Sequence, residues 1–247
     1  MSKNQSAERV AVVTGAGRRV GAAITQILHQ QGFNVAVHYL ASIADAQSNV
    51  DRFNAERPDS AIAIRADLSE PAAAKAIVSE VLTKWGRLDA LINNASIFDP
   101  TPLLDFDDAL STQLMDINFA APLRLSLAAA RALKMHRGAI VNVSDIHAER
   151  PRKDYLSYCV SKAALNALTR SLALDLAPEV RVNSVAPGAV LWAPSDDEPL
   201  QQTILDRTPL ARRGEPADIA NTVAFLLNAE FVTGQIIPVD GGQTIRL

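Results

Sequence analysis

Residues 10–21 read Val-Ala-Val-Val-Thr-Gly-Ala-Gly-Arg-Arg-Val-Gly, a short apolar run that breaks into glycines just before a helical pattern begins. Ala22, Ile24, Ile27 and Leu28 recur at helical spacing through residues 21–31, so the predicted order is strand, turn, helix. The unit then repeats. Residues 34–39 precede polar helical sequence from Ser42 to about Arg57, and the strand-like residues 61–69 precede the helix-like residues 71–86. Further apolar strands are read at 88–96, 138–145, 180–188 and 234–242. Seven strands alternating with helices imply an α/β fold: a doubly wound parallel seven-stranded sheet with helices on both faces.

The chain has 247 residues, 48% of them hydrophobic, enough for one large core and no second domain, so residues 1–247 are read as a single domain. A net charge of −3 and the absence of any Lys/Arg-rich run argue against nucleic acid as a partner. The polar start and the lack of a long apolar run argue against a membrane and for a cytoplasmic protein. The lone Cys159 is expected to be a small buried helix residue, and nothing in the reading calls for a metal. The longest irregular stretch runs from Pro187 to about Gln201 and contains Trp192, Pro194, Pro199 and the acidic residues 196–198. Because ligands bind at the carboxyl ends of strands in such sheets, residues 188–212 form a candidate substrate loop; a solvated connection is the alternative.

The turn after the first strand suits a pyrophosphate. Gly15 and Gly21 permit close backbone approach, and the free N–H groups at the helix start attract an anion. Arg18 and Arg19 stand where a helix dipole disfavours cations, a conflict that an anionic ligand resolves. At the end of the second strand, residues 37–42 carry no carboxylate to receive a ribose 2′-hydroxyl. Ser42 can donate there and Arg18 can reach across, so NADPH is preferred over NADH.

Tyr158 and Lys162 lie four apart and so share a helical face. A cation beside a phenol favours the phenolate, which makes Tyr158 a usable acid or base. Asp145 stands thirteen residues before Tyr158; capping a helix or pairing with Arg150 is its alternative role.

With the glycine turn, Asn93-Asn94-Ala95-Ser96, Tyr158/Lys162 and Pro187-Gly188 in that order, the chain resembles the short-chain dehydrogenase/reductase family. The resemblance implies a Rossmann-like fold. It makes Tyr158 the proton donor, Lys162 the binder of the nicotinamide ribose and depressor of the tyrosine pKa, and Asn118 support for a proton relay. It also places Thr14, Gly15, Arg18, Arg19, Val20, Gly21, His38, Ser42, Asp67, Leu68, Asn94, Ala95, Ser96, Lys162, Pro187 and Gly188 at the cofactor. A homotetramer joined through the long helices is implied as well; for Arg246, approach to a neighbouring site and a solvated terminus both stay open.

Three departures from the family pattern point to the pteridine reductase branch. Asp145 replaces the usual Ser, Arg19 replaces the second glycine of the turn, and the fourth-strand loop continues as Ser96-Ile97-Phe98. A flat pterin suits Phe98 as a stacking partner, with core packing as its alternative role, and Arg19, Ser96, Asp145, Tyr158 and Trp192 complete the expected substrate set. Ring C=N reduction needs a proton at nitrogen, which gives Asp145 a purpose. Two other functions compete: a carbonyl reductase or alcohol dehydrogenase acting on a small ketone, and a non-catalytic NADPH sensor.

Overall fold

The computed structural model describes residues 8–192 and 196–246. Strand β1 (Val10–Val13) feeds helix α1 (Arg19–Gln30), and β2 (Asn34–Tyr39), α2 (Ile43–Glu56), β3 (Ala61–Arg65), α3 (Ala73–Trp85) and β4 (Ala90–Asn93) continue the alternation. Helix α4 (Asp108–Met115) passes through a π-helical turn at Asp116–Ala120 into α5 (Ala121–Met135). Then come β5 (Ala139–Val143), α6 (Leu156–Asp175), β6 (Arg181–Pro187), α7 (Glu198–Asp206), α8 (Pro216–Asn228) and β7 (Ile236–Val239).

Among the described residues the seven strands form one parallel sheet in the order β3-β2-β1-β4-β5-β6-β7. The winding direction reverses between β1 and β4, which pair through Ala11↔Ala90, Val12↔Leu91 and Val13↔Ile92. A crevice opens beyond the carboxyl ends of strands where such a reversal occurs. The turns after β1 and β4 therefore face each other across it.

Strand alternation divides the core into two layers. Ala11, Val13, Val35 and Val37 pack with Ile24, Leu28, Val223 and Leu227 from α1 and α8. Val10, Val12, Ala36 and Leu91 pack on the opposite face with Ile77, Leu125, Leu165 and Leu172 from α3, α5 and α6. Each of the Val, Leu and Ile side chains contributes about 1.5–3 kcal/mol relative to exposure.

A buried polar chain crosses the second layer. Asn93 Nδ2 donates to Asn142 Oδ1 at 2.8 Å, Asn142 Nδ2 to the Thr169 hydroxyl at 2.8 Å, and that hydroxyl to Leu165 O at 2.9 Å. Because unpaired polar groups are costly there, the chain fixes α6 against the ends of β4 and β5. The first turn of α6 is anchored separately, by Ser157 N donating to the Thr101 hydroxyl at 3.0 Å.

One stretch read as irregular is partly helical. Helix α7 begins at Glu198, where Asp197 accepts from Leu200 N at 3.0 Å and Pro199 sits in the first turn, so start signals rather than loop chemistry govern residues 197–201. Pro194 lies outside the described residues. Cys159 is buried in α6. Among the described residues no helix is long and apolar enough to cross a membrane.

Candidate active site

A cavity of about 530 Å³ opens at the switch point. Gly15, Arg18, Arg19, Val20, Gly21, His38, Ser42, Asp67, Leu68, Asn94, Ala95 and Ser96 all line it, as expected from the sequence. Gln113 and Ile117, which no motif marks, and Leu191 of the candidate substrate loop also line it. Gly15 adopts φ +61°, and a Cβ there would lie 2.9 Å from Ala95 Cα. At Gly21 a Cβ would fall 2.2 Å from Gly15 O, so the helix start could not approach the turn. Arg19 also has φ +55°, a left-handed backbone that disfavours any residue with a Cβ. Its exposed guanidinium enters both this cavity and the next.

His38 braces the turn. Gly15 N donates to His38 Nδ1 at 3.1 Å, which leaves Nε2 as the protonated nitrogen donating to Ala66 O at 3.1 Å. Burial pushes the imidazole pKa down, in keeping with this neutral form. Asp67 accepts from the Ser69 hydroxyl at 2.7 Å and Ser69 N at 2.9 Å, and these bonds hold its carboxyl below the usual range.

Four residues assigned to the cofactor do not line this cavity. Thr14 is buried, and its hydroxyl accepts from Asn94 N at 2.9 Å and Ala95 N at 3.0 Å, fastening the two turns together. Lys162 is buried beneath Tyr158, and Pro187 ends β6 off the wall; Gly188 lines the second cavity instead. A carboxylate also attends the phosphate turn after all. Asp45, in the first turn of α2, lies 3.8 Å from Arg18 Nε, though both side chains are exposed and such a pair is weak.

The second cavity, about 430 Å³, shares Arg19, Ser96, Ile97 and Leu191 with the first. Asp145, Tyr158, Phe98 and Trp192 line it. The Tyr158 hydroxyl donates to Asp145 Oδ2 at 2.7 Å. Asp145 Oδ1 accepts from His147 N at 2.8 Å, so this residue caps the short 3₁₀ turn Ile146–Ala148, neither capping α6 nor pairing with Arg150. His147 itself is part of that turn, with Nδ1 donating to Arg150 O at 2.9 Å.

The expected lowering of the Tyr158 pKa is corrected by this environment. Burial, then the Asp145 carboxylate, push the phenol well above its ordinary value. Lys162 Nζ donates to Val143 O at 2.9 Å and stands 5.7 Å from the Tyr158 ring centroid, too indirect to prevail. Burial brings the ammonium itself down to about 8 against the opposing pull of Asp145.

Asn118 sits in the π-helical turn and uses both ends of its amide. Oδ1 accepts from Ser96 Oγ and Ile97 N, each at 3.0 Å, while Nδ2 donates to Ile97 O at 3.0 Å and Ser161 Oγ at 3.1 Å. It clamps the loop that separates the cavities to the helix carrying Tyr158.

Phe98 is less free than a stacking platform was expected to be. One face lies on Tyr155, with centroids 4.4 Å apart and planes at 20°, and Tyr158 meets it edge-on at 4.5 Å. Arg152 covers Tyr155 at 4.6 Å and pairs with buried Asp196 at 2.6 Å, which ties the lead into α7 to this cluster. Trp192 is half-buried under Arg213, 5.9 Å from its ring centroid. Tyr155, Arg152 and Gln243 were not singled out from sequence, and Asp196 was read only as part of the acidic run in the loop; the only signal for the first two was their closeness to Tyr158.

The profile of a family described as Enoyl-(Acyl carrier protein) reductase matches residues 15–244. Pteridine reductase 1 of Leishmania tarentolae is 36% identical over 280 aligned residues, covering 96% of this chain and 96% of that protein. The 3-oxoacyl-(acyl-carrier-protein) reductase FabG of Staphylococcus aureus strain Mu50 is also 36% identical, over 243 residues, covering 94% of this chain and 97% of that protein.

Proposed function

Since this chain belongs to the short-chain dehydrogenase/reductase family and is thus an oxidoreductase, we propose that it uses NADPH to reduce a dihydropterin, dihydrofolate included, to the tetrahydro form. The observation that carries this reading is the 2.7 Å bond from Tyr158 to Asp145, on the wall of a cavity that Arg19 also enters. The 530 Å³ cavity fits a dinucleotide because its turn excludes Cβ atoms at Gly15 and Gly21 and presents two exposed arginines. Arg18, Arg19 and Ser42 would favour the 2′-phosphate. When bound, the cofactor supplies hydride to the ring carbon of a C=N bond.

The chain's own residues supply the proton. Tyr158, held protonated, gives it to the ring nitrogen. The charge on Lys162 offsets the negative charge then shared by Tyr158 and Asp145, and half-buried Asp145 connects the pair to solvent. Arg19 and Ser96 bind the pterin edges, while Phe98 and Trp192 offer apolar surface. The Arg152–Asp196 pair pins the lead into α7 beside the ligand cavity. Exposed Leu127, Val160 and Leu174 on the outer faces of α5 and α6 support assembly as a homotetramer, which light scattering tests.

The deciding experiment follows NADPH oxidation with dihydrobiopterin, dihydromonapterin, dihydrofolate, small ketones and a 3-oxoacyl thioester, with NADH as control. Turnover concentrated on pterins is expected. One finding favours a second reading: the equally similar Staphylococcus aureus relative is named for 3-oxoacyl reduction. Turnover restricted to carbonyl substrates would establish that alternative and leave Asp145 only its capping role.

A further inference from the structure

Beside the substrate cavity, and sharing His147 and Gln243 with it, lies a third concavity of about 370 Å³. Arg150, Arg207 and Arg246 line it. They come from three separate places: just after the 3₁₀ turn that follows β5, the end of α7, and the C-terminal tail. Among the described residues none of the three pairs with a carboxylate, although Arg246 donates to the Asp206 carbonyl. Gathering like charges without a counter-charge is unfavourable, and an anion relieves it.

A second observation concerns the junction. Gln243 Oε1 is buried and has no hydrogen-bond partner. It packs against Gly188, so Gln243 joins the wall of the substrate cavity to the tail that carries Arg246. Reading outward from the cavity walled by Asp145 and Tyr158, the wall passes Gln243 and then meets three guanidinium groups. The complementary molecule carries negative charge along its side chain, away from the ring.

We propose that this concavity binds the anionic end of the substrate's side chain, so that the preferred dihydropterin bears carboxylates or a phosphate ester. The proposal rests on the pteridine reading of the adjoining cavity. Guanidinium forks match carboxylate and phosphate alike, so the structure assigns the charge and the substrates tested distinguish its source.

The test compares kcat/KM for dihydrofolate, dihydroneopterin monophosphate and uncharged dihydrobiopterin. At least one anionic substrate is expected to exceed dihydrobiopterin by about tenfold or more, chiefly through KM, since a charge-assisted bond is strong enough to give such a factor. Whichever anionic substrate leads identifies the tail. Arg150→Ala and Arg207→Ala should each lower that ratio about three- to tenfold, and the double variant together with 0.5 M salt should bring it close to one. Both side chains are exposed, and dihydrobiopterin turnover in the same samples reports on the fold. Dihydrobiopterin turnover with no anionic advantage, or an advantage that survives in the double variant, overturns the anion site alone. Absence of turnover with every pterin overturns the pteridine reading itself and the inference with it.

Discussion

The cavity walled by the glycine turn and the cavity walled by Phe98 and Tyr158 meet at Arg19, yet they are held by different kinds of contact. On the first side the fastening is to backbone: Thr14 takes two main-chain N–H groups, Asn94 Nδ2 donates to Thr14 O and Gly15 O, and His38 accepts from Gly15 N. On the second side the fastening is between side chains: a stacked Phe98–Tyr155 pair, the Arg152–Asp196 ion pair and the Tyr158–Asp145 hydrogen bond. A wall made of backbone suits a ligand portion common to many enzymes. A wall made of side chains can be altered residue by residue, which is where substrate choice belongs.

The sharpest way to separate the halves is Tyr158→Phe. It should lower kcat by about 10²–10⁴-fold, measured in steady state, while dinucleotide affinity in a fluorescence titration stays as it was. A kcat that survived would remove Tyr158 from the proton step. Next in size is Gly21→Ala, where the added carbon meets Gly15 O. Overpacking should cost about 1–3 kcal/mol in thermal unfolding and weaken dinucleotide binding about tenfold or more. An unchanged dissociation constant would separate the glycine turn from the cofactor.

Lys162 predicts a pH effect that reaches across both halves. Its folded pKa of about 8 lies below the ~10.4 of an unfolded lysine. Between those values the unfolded chain holds the extra proton, so this group makes folding more favourable as pH rises. Catalysis should move oppositely, with kcat/KM falling about tenfold per pH unit above 8 as the ammonium is lost; a flat profile to pH 9.5 would remove the lysine from the proton step. Arg152→Ala should raise substrate KM about three- to tenfold with little change in dinucleotide affinity, and equal losses in both would mean that the two walls are coupled. The smallest effect is that of Arg19→Gly. Relief of its φ of +55° should raise the melting temperature by about 2–4 °C, while pterin kcat/KM falls; a lower melting temperature would show that the backbone there is unstrained.

The same division explains what was legible in the sequence. The alternation of strands and helices, the glycine turn and the Tyr158/Lys162 spacing are local patterns, and each reappears in the fold at nearly the expected residues. Asp145 was legible as a departure at a fixed distance from Tyr158. Its hydrogen bond to Tyr158 was not, because that bond depends on where β5 ends relative to α6. Tyr155 and Arg152 escaped notice because their importance comes from contact with Phe98 and Asp196, more than forty residues away in sequence. The direction of the Tyr158 shift was missed because spacing reveals a neighbouring lysine but neither burial nor an adjacent carboxylate.

The hydrogen bond between Tyr158 and Asp145 bears finally on which way the chemistry starts. No catalyst alters an equilibrium, but its waiting state decides which direction begins without preparation. A phenol held by a carboxylate already carries the proton that a reduction consumes, whereas the reverse oxidation must first shed it into surroundings that resist the loss. If the chain works as the proposed reductase, it thus rests with the proton its reaction needs, and an oxidation assay would begin from the less accessible form.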